Sequence, residues 1–177
     1  MKTIILLTGV VLGTAAIVAS PSQARAQWTV GPHLGYHLDA SEVNLGATAQ
    51  IPIPGAKIGT VQLVANPGFE FYPFIGSGAS MLAINFDVAY PIPAKADVAP
   101  YVGAGLMFFR SSFSVALPGG GTISGSGTDV GLNLKGGAIF MKGKTIQPFG
   151  EATLVISDAS TLVLRGGVLF TVGKKKR

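Results

Sequence analysis

The sequence predicts an all-β chain: eight antiparallel strands closed into a single barrel. Three observations carry that prediction. Apolar and polar residues alternate with period two through eight separate runs. Glycine at 25 positions and proline at 11 punctuate the chain into short segments, where long helices would need few of either. Hydrophobic residues reach 48% while charged residues fall to 12%, about half the ~25% usual in soluble domains. A chain so short of charge is poorly equipped to cover a water-facing surface.

The runs are taken in chain order. Trp28–His37 places Trp28, Val30, Leu34 and Tyr36 on one face, against Gly31, His33, Gly35 and His37 on the other. Val43–Ile53 opposes Val43, Leu45 and Ile51 to Asn44, Gly46, Thr48 and Gln50. Val61–Pro73 opposes Val61, Leu63, Phe69 and Phe71 to Gln62, Asn66, Glu70 and Tyr72. Met81–Tyr90 opposes Leu82, Ile84, Phe86 and Val88 to Asn85, Asp87 and Ala89.

Val98–Phe109 opposes Val102, Leu106 and Phe108 to Tyr101, Gly103 and Gly105; Arg110 then falls on the apolar parity, at a membrane edge or past a bulge. Val130–Met141 opposes Leu132, Leu134 and Phe140 to Asn133, Lys135 and Gly137. Ile146–Ile156 opposes Ala152, Leu154 and Ile156 to Phe149, Glu151 and Thr153. Leu162–Val172 opposes Leu162, Leu164, Phe170 and Val172 to Arg165, Gly167 and Thr171.

Each run is about the nine to eleven residues that a tilted strand needs to cross a bilayer. Sheets in lipid must close, because an open edge leaves backbone groups without partners. Eight strands close into a barrel whose interior is just filled by side chains.

Two kinds of barrel alternate in this way, with opposite faces outward. A soluble ligand-binding barrel keeps its apolar face inside. Here the second face holds Glu70, Asp87, Asn133, Lys135, Glu151 and Arg165, interleaved with glycine, and few charges remain to clothe an outside. The apolar face is therefore expected toward lipid and the polar face toward the lumen. This explains the run TLVLRGGVLF, in which Arg165 points inward among glycines while Leu164 points to lipid.

If the turn after the sixth run centres on Gly143, Lys135 stands opposite Glu151; if the next centres on Asp158, Glu151 stands opposite Arg165. A Lys135–Glu151–Arg165 row then neutralises charges that are costly to bury singly. Glu70, Asp87 and Asn133 are expected as further polar lining of the lumen.

The connections differ in charge. Lys57, Lys95, Lys142, Lys144 and the final residues mark one end, with Asp97 as an exception; Asp39, Glu42, Asp129 and Asp158 mark the other. With the termini on the periplasmic side, the acidic end faces outward. The longest connection, residues 113–127 (FSVALPGGGTISGSG), is then an outward loop through which an extracellular partner could be held.

The beginning of the chain reads as an address. Lys2, an apolar stretch from Ile4 to Ala19 and the small-x-small site Ala24-Arg25-Ala26 form a secretory signal peptide over residues 1–26, cut after Ala26. The barrel then occupies residues 27–172 and a basic tail residues 173–177. Between 27 and 172 lie seven basic and eight acidic residues, so the formal +5 belongs to the leader and tail. That distribution excludes a nucleic-acid-binding face.

Two stretches carry a resemblance. Pro100–Phe108 (PYVGAGLMF) resembles a strand of the small eight-stranded outer-membrane barrels of Gram-negative bacteria, the OmpA/OmpX-like family. The run from Arg165 to Val172 is similar to that family's assembly signal, with Arg165, Gly167, Phe170 and Val172 at its polar, glycine and hydrophobic positions. The chain departs from the pattern by continuing past this strand through Gly173 to Arg177. The resemblance implies residence in the Gram-negative outer membrane. It also implies contact with membrane lipid and lipopolysaccharide, and handling by the barrel-assembly machinery. The resemblance fixes location better than role, since such barrels serve variously as structural proteins, adhesins, small pores and lipid-modifying enzymes; the leading expectation is a non-enzymatic, envelope-structural or surface-interacting role. A small passive pore, a lipid-modifying barrel enzyme and a soluble periplasmic barrel for an apolar ligand stay open.

No catalytic, cofactor or metal constellation is expected. His33 and His37 lie about 13 Å apart along a strand, too far to share one ion. Both also share the inner parity, away from a lipid-facing active site. There is no cysteine, and the Gly-x-Gly at Gly103–Gly105 falls inside a strand, where it serves packing.

Overall fold

A computed structural model describes residues 27–73, 79–94, 97–116, 120–158 and 160–173. The signal segment with Ala26, Lys95, residues 117–119 of the longest connection and the tail from Lys174 lie outside the described residues.

Eight strands follow in order: β1 (Trp28–His37), β2 (Glu42–Ile58), β3 (Val61–Tyr72), β4 (Ala79–Pro91), β5 (Ala99–Ala116), β6 (Thr122–Ile139), β7 (Ile146–Ile156) and β8 (Thr161–Val172). Each pairs antiparallel with the next, and β1 pairs with β8, so the sheet closes as a ring. Closure is uneven. The β1–β8 ladder skips Gly31 and Pro32, where proline has no N–H to give. The β2–β3 register shifts between Pro52 and Lys57.

The faces divide by parity. Leu34, Leu45, Phe86, Leu134, Leu154 and Leu164 are exposed on the outside. Glu70, Asp87, Asn133, Lys135 and Arg165 are buried within. An exterior of leucine and phenylalanine around a polar interior is an inside-out soluble protein, and it matches hydrocarbon surroundings.

Two apolar clusters fill the ends of the lumen. Tyr72, Ala83, Met107, Val155 and Val163 pack toward the β1–β2 and β3–β4 turns. Ala89, Ala99, Tyr101, Ile139, Phe149 and Leu169 pack toward the chain termini. The polar layer lies between them.

Strands β5 and β6 are longer than the sequence pattern predicts. The stretch expected as a loop, 113–127, is mostly ladder: Phe113 pairs with Gly125, Ser114 with Ser124 and Val115 with Ile123. Period-two patterning continues through it, but in reversed sense, which hid it. Up to the pair Phe108–Val130 the outward residues are apolar. From Arg110–Thr128 onward they are polar (Ser112, Ser114, Ser124, Ser126), while Phe113, Val115 and Ile123 take the other face. The pairing of β5 with β4 and with β6 runs through Arg110 without a shift. Arg110 therefore follows no bulge; it sits where the outer face changes from apolar to polar.

Candidate functional site

The polar layer is built by strand alternation, which turns every second residue of each strand inward at one level of the barrel. β3 supplies Glu70, β4 Asn85 and Asp87, β6 Asn133 and Lys135, β7 Glu151 and Thr153, and β8 Arg165. Five charges alternate in sign across the lumen. Arg165 pairs with Glu70, and its Nη1 donates to Glu151 Oε1 at 3.0 Å. Lys135 Nζ lies 3.3 Å from Glu151 Oε2 and 2.9 Å from Asp87 Oδ2. The chain reads Glu70–Arg165–Glu151–Lys135–Asp87.

The carboxylates are also saturated with neutral donors. Glu70, with no exposed surface, accepts from Tyr72 Oη at 2.6 Å, Asn44 Nδ2 at 3.0 Å and Asn85 Nδ2 at 2.7 Å. Glu151 accepts from Tyr101 Oη at 2.8 Å and Thr153 Oγ1 at 3.1 Å. Asn133 Nδ2 donates to Asp87 Oδ1 at 2.9 Å. Burying five charges is tolerable only when opposite charges and hydrogen bonds meet every one of them.

The register differs from expectation at one place. Lys135 stands opposite Thr153, and Glu151 opposite Gly137. The β6–β7 turn is centred on Lys144, one residue beyond Gly143, with Met141 and Gly143 both at positive φ. Lys135 reaches Glu151 diagonally, its long stem spanning the two-residue offset. Glu151 does stand opposite Arg165. Glu70 and Asp87 do not face each other; they pair with Ala83 and Asn66.

Glycine makes room for this layer. A Cβ on Gly105 would lie 2.3 Å from both the Phe86 carbonyl and Asp87 Oδ1, and one on Gly46 2.4 Å from His33 Nε2. The last-strand glycine of the assembly-like pattern, Gly167, is likewise closed in, by the Pro32 carbonyl at 2.4 Å. Beside the ion chain lies a cavity of about 10 Å³ lined by His33, Asn66, Asp87 and Lys135, room for about one water molecule. His37 bonds Tyr72 through Nε2 at 2.8 Å, so the two histidines serve separate surroundings. Among the described residues no group of His, Asp and Glu side chains has metal-binding geometry.

Outside the membrane-spanning segments, Asp39 in the β1–β2 turn accepts the Leu162 N–H at 3.2 Å. The Thr161 hydroxyl, with that N–H, holds the Asp39 carboxyl below the usual carboxylate range.

The fold and this interior define a small transmembrane β-barrel with a plugged lumen. Solved structures agree on the architecture. The N-terminal β-barrel domain of Pseudomonas aeruginosa OprF superposes with TM-score 0.62 at 11% identity, covering 82% of this chain and 97% of that one. Ail, the attachment invasion locus protein of Yersinia pestis, gives 0.54 at 11%, covering 82% and 97%. The outer membrane enzyme PagL gives 0.50 at 13%, covering 82% and 99%. The chain thus has the fold of the small outer-membrane barrels. No family model matches the sequence, and no curated protein matches it.

Proposed function

We propose that the chain is a non-enzymatic β-barrel of the Gram-negative outer membrane, acting as an envelope component that presents a surface projection. The observation that carries this reading is the matched interior: five buried charges in alternating sign, closed off by apolar clusters at both ends. Such an interior favours rigidity over passage or catalysis. Its carboxylates are engaged with partners, and the adjoining cavity suits one water, not a solute.

The outer belt is the surface that lipid and lipopolysaccharide would cover, and the β8 pattern around Gly167 and Phe170 is what the assembly machinery would read. PagL shows that the fold can carry an enzyme. Both histidines of this chain are turned into the lumen, away from any lipid substrate. The β5–β6 projection is the part left to meet a partner.

The test combines three measurements on the full chain expressed in a Gram-negative host. Fractionation with heat-modifiable gel mobility is expected to place a folded barrel in the outer membrane. Planar bilayers are expected to show no conductance steps. Mass spectra of the host's lipid A are expected to be unchanged. Recovery in the aqueous periplasmic fraction, discrete conductance steps or an altered lipid A would each overturn the reading.

A further inference from the structure

We propose that His37 is a binding site for one proton, and that its imidazolium is the countercharge the lumen lacks, tied to the ion chain through Tyr72. The inference concerns the interior and is independent of what the β5–β6 projection meets.

The ion chain is one positive charge short. Glu70–Arg165–Glu151–Lys135–Asp87 begins and ends on a carboxylate, so three negative charges meet two positive ones. A net charge held away from water is costly. Among the described residues, the two histidines are the remaining buried side chains that could supply a third cation.

Hydrogen counting selects His37. Tyr72 has one hydroxyl hydrogen, and its Oη lies 2.6 Å from Glu70 Oε2. The ion-paired carboxylate accepts and cannot donate, so that hydrogen is spent on Glu70. His37 Nε2, 2.8 Å from the same Oη, is then the donor to it. The neutral ring therefore carries its hydrogen on Nε2 and keeps a lone pair on Nδ1. Nδ1 faces Thr161 Oγ1 at 3.4 Å. The single Thr161 hydrogen is claimed twice, by that lone pair and by the Asp39 carboxylate. A proton on Nδ1 removes the conflict. The ring then donates at both ends, and Thr161 accepts from it while giving its own hydrogen to Asp39. His33 offers no such fit, since neither of its ring nitrogens has a hydrogen-bond partner among the described residues.

The charges around His37 are mostly negative. Glu42 stands opposite it in the β1–β2 ladder. Asp39 lies in the exposed β1–β2 turn, and Glu70 lies behind Tyr72 on β3. Val163, opposite on β8, brings no charge. The opposing cation is Arg165, which Glu70 and Glu151 already hold. Exposed Asp39, with Thr161 beside it, forms the water-side end through which the proton arrives.

The test is a pH titration of the full chain in detergent micelles, with ring-labelled histidine read by nitrogen NMR. The chain has two histidines, and His33→Gln and His37→Gln tell their signals apart. At alkaline pH the His37 ring is expected as the Nε2–H tautomer alone. On acidification one hydrogen should add at Nδ1 while the heat-modifiable mobility of the folded barrel persists. Thr161→Val keeps the shape and removes the acceptor, so it should lose this uptake over the range where the parent shows it. Tyr72→Phe should release the tautomer, giving both N–H forms at alkaline pH. If Tyr72→Phe fails to fold, Thr161→Val decides, because Thr161 lies outside the ion chain. An Nδ1–H tautomer in the parent, uptake by His33 in place of His37, uptake unchanged in Thr161→Val, or unfolding before any uptake would overturn the proposal.

Discussion

Glu151 stands directly opposite Arg165 in the β7–β8 ladder, and their side chains meet at 3.0 Å inside the barrel. Arg165 is shared with Glu70 on β3, so one guanidinium ties the last two strands to the far wall. Its planar fork suits two carboxylates better than a lysine would.

Removing that cation leaves two buried carboxylates short of a partner. Arg165→Met is expected to cost about 3–5 kcal/mol, the range for breaking a buried ion pair on one side. Urea titration in lipid vesicles, read by heat-modifiable mobility, measures it. Adding Glu70→Gln should recover part of the loss; a variant as stable as the parent would show the chain to be unimportant.

Two glycines on opposite faces of the wall, Gly105 on β5 and Gly150 on β7, should respond differently to the same methyl group. At Gly105 the added Cβ meets backbone at 2.3 Å, while at Gly150 nothing lies within 4 Å. Gly105→Ala is expected to cost about 1–3 kcal/mol. Gly150→Ala should stay within about 0.5 kcal/mol of the parent. The same unfolding experiment distinguishes them.

The reversal of faces at Arg110 predicts where a charge is tolerated. Leu134→Arg, on the outer face of the barrel wall, is expected to cost about 2–4 kcal/mol toward the bilayer centre. Ser126→Arg, on the same face beyond the reversal, should have little effect. Folding yield into lipid vesicles tests the pair, and equal penalties would move the membrane boundary.

At the turn, Asp39 is tied to the start of β8 through the Thr161 hydroxyl and the Leu162 N–H. Its carboxyl is depressed in the folded state, so its stabilising effect is present above the unfolded value and lost as pH falls through the depressed one. The protection of the Leu162 amide, its exchange rate set against the intrinsic rate at the same pH, should therefore fall on acidification in the parent. In Asp39→Asn it should lose that pH dependence.

Much of this barrel was legible along the chain. Leu34, Leu45, Leu154 and Leu164 alternate with polar neighbours because a strand turns successive side chains to opposite faces. That is a local property which needs no knowledge of the fold. Lys135, Glu151 and Arg165 could be placed together because they sit on strands adjacent in sequence. Their register was harder: the β6–β7 turn centres on Lys144, one residue beyond Gly143, so Lys135 faces Thr153. The β5–β6 extension was hidden for a different reason. Glycine and serine there resemble loop composition, and the apolar residues change face where the surrounding solvent changes.

Strand alternation and the poverty of charge were enough to determine an apolar outside, a polar inside and eight runs. These follow from each residue and its near neighbours. Only the closed ring decided that Glu70 and Asp87 would end the ion chain begun by Arg165, Glu151 and Lys135, because contacts across a lumen depend on how far each strand is staggered around it. Only the same closure decided that β7 stops at Ile156 and leaves the upper edge of β6 uncovered. Stagger accumulates over every turn and bulge of the chain, so no single stretch of sequence contains it.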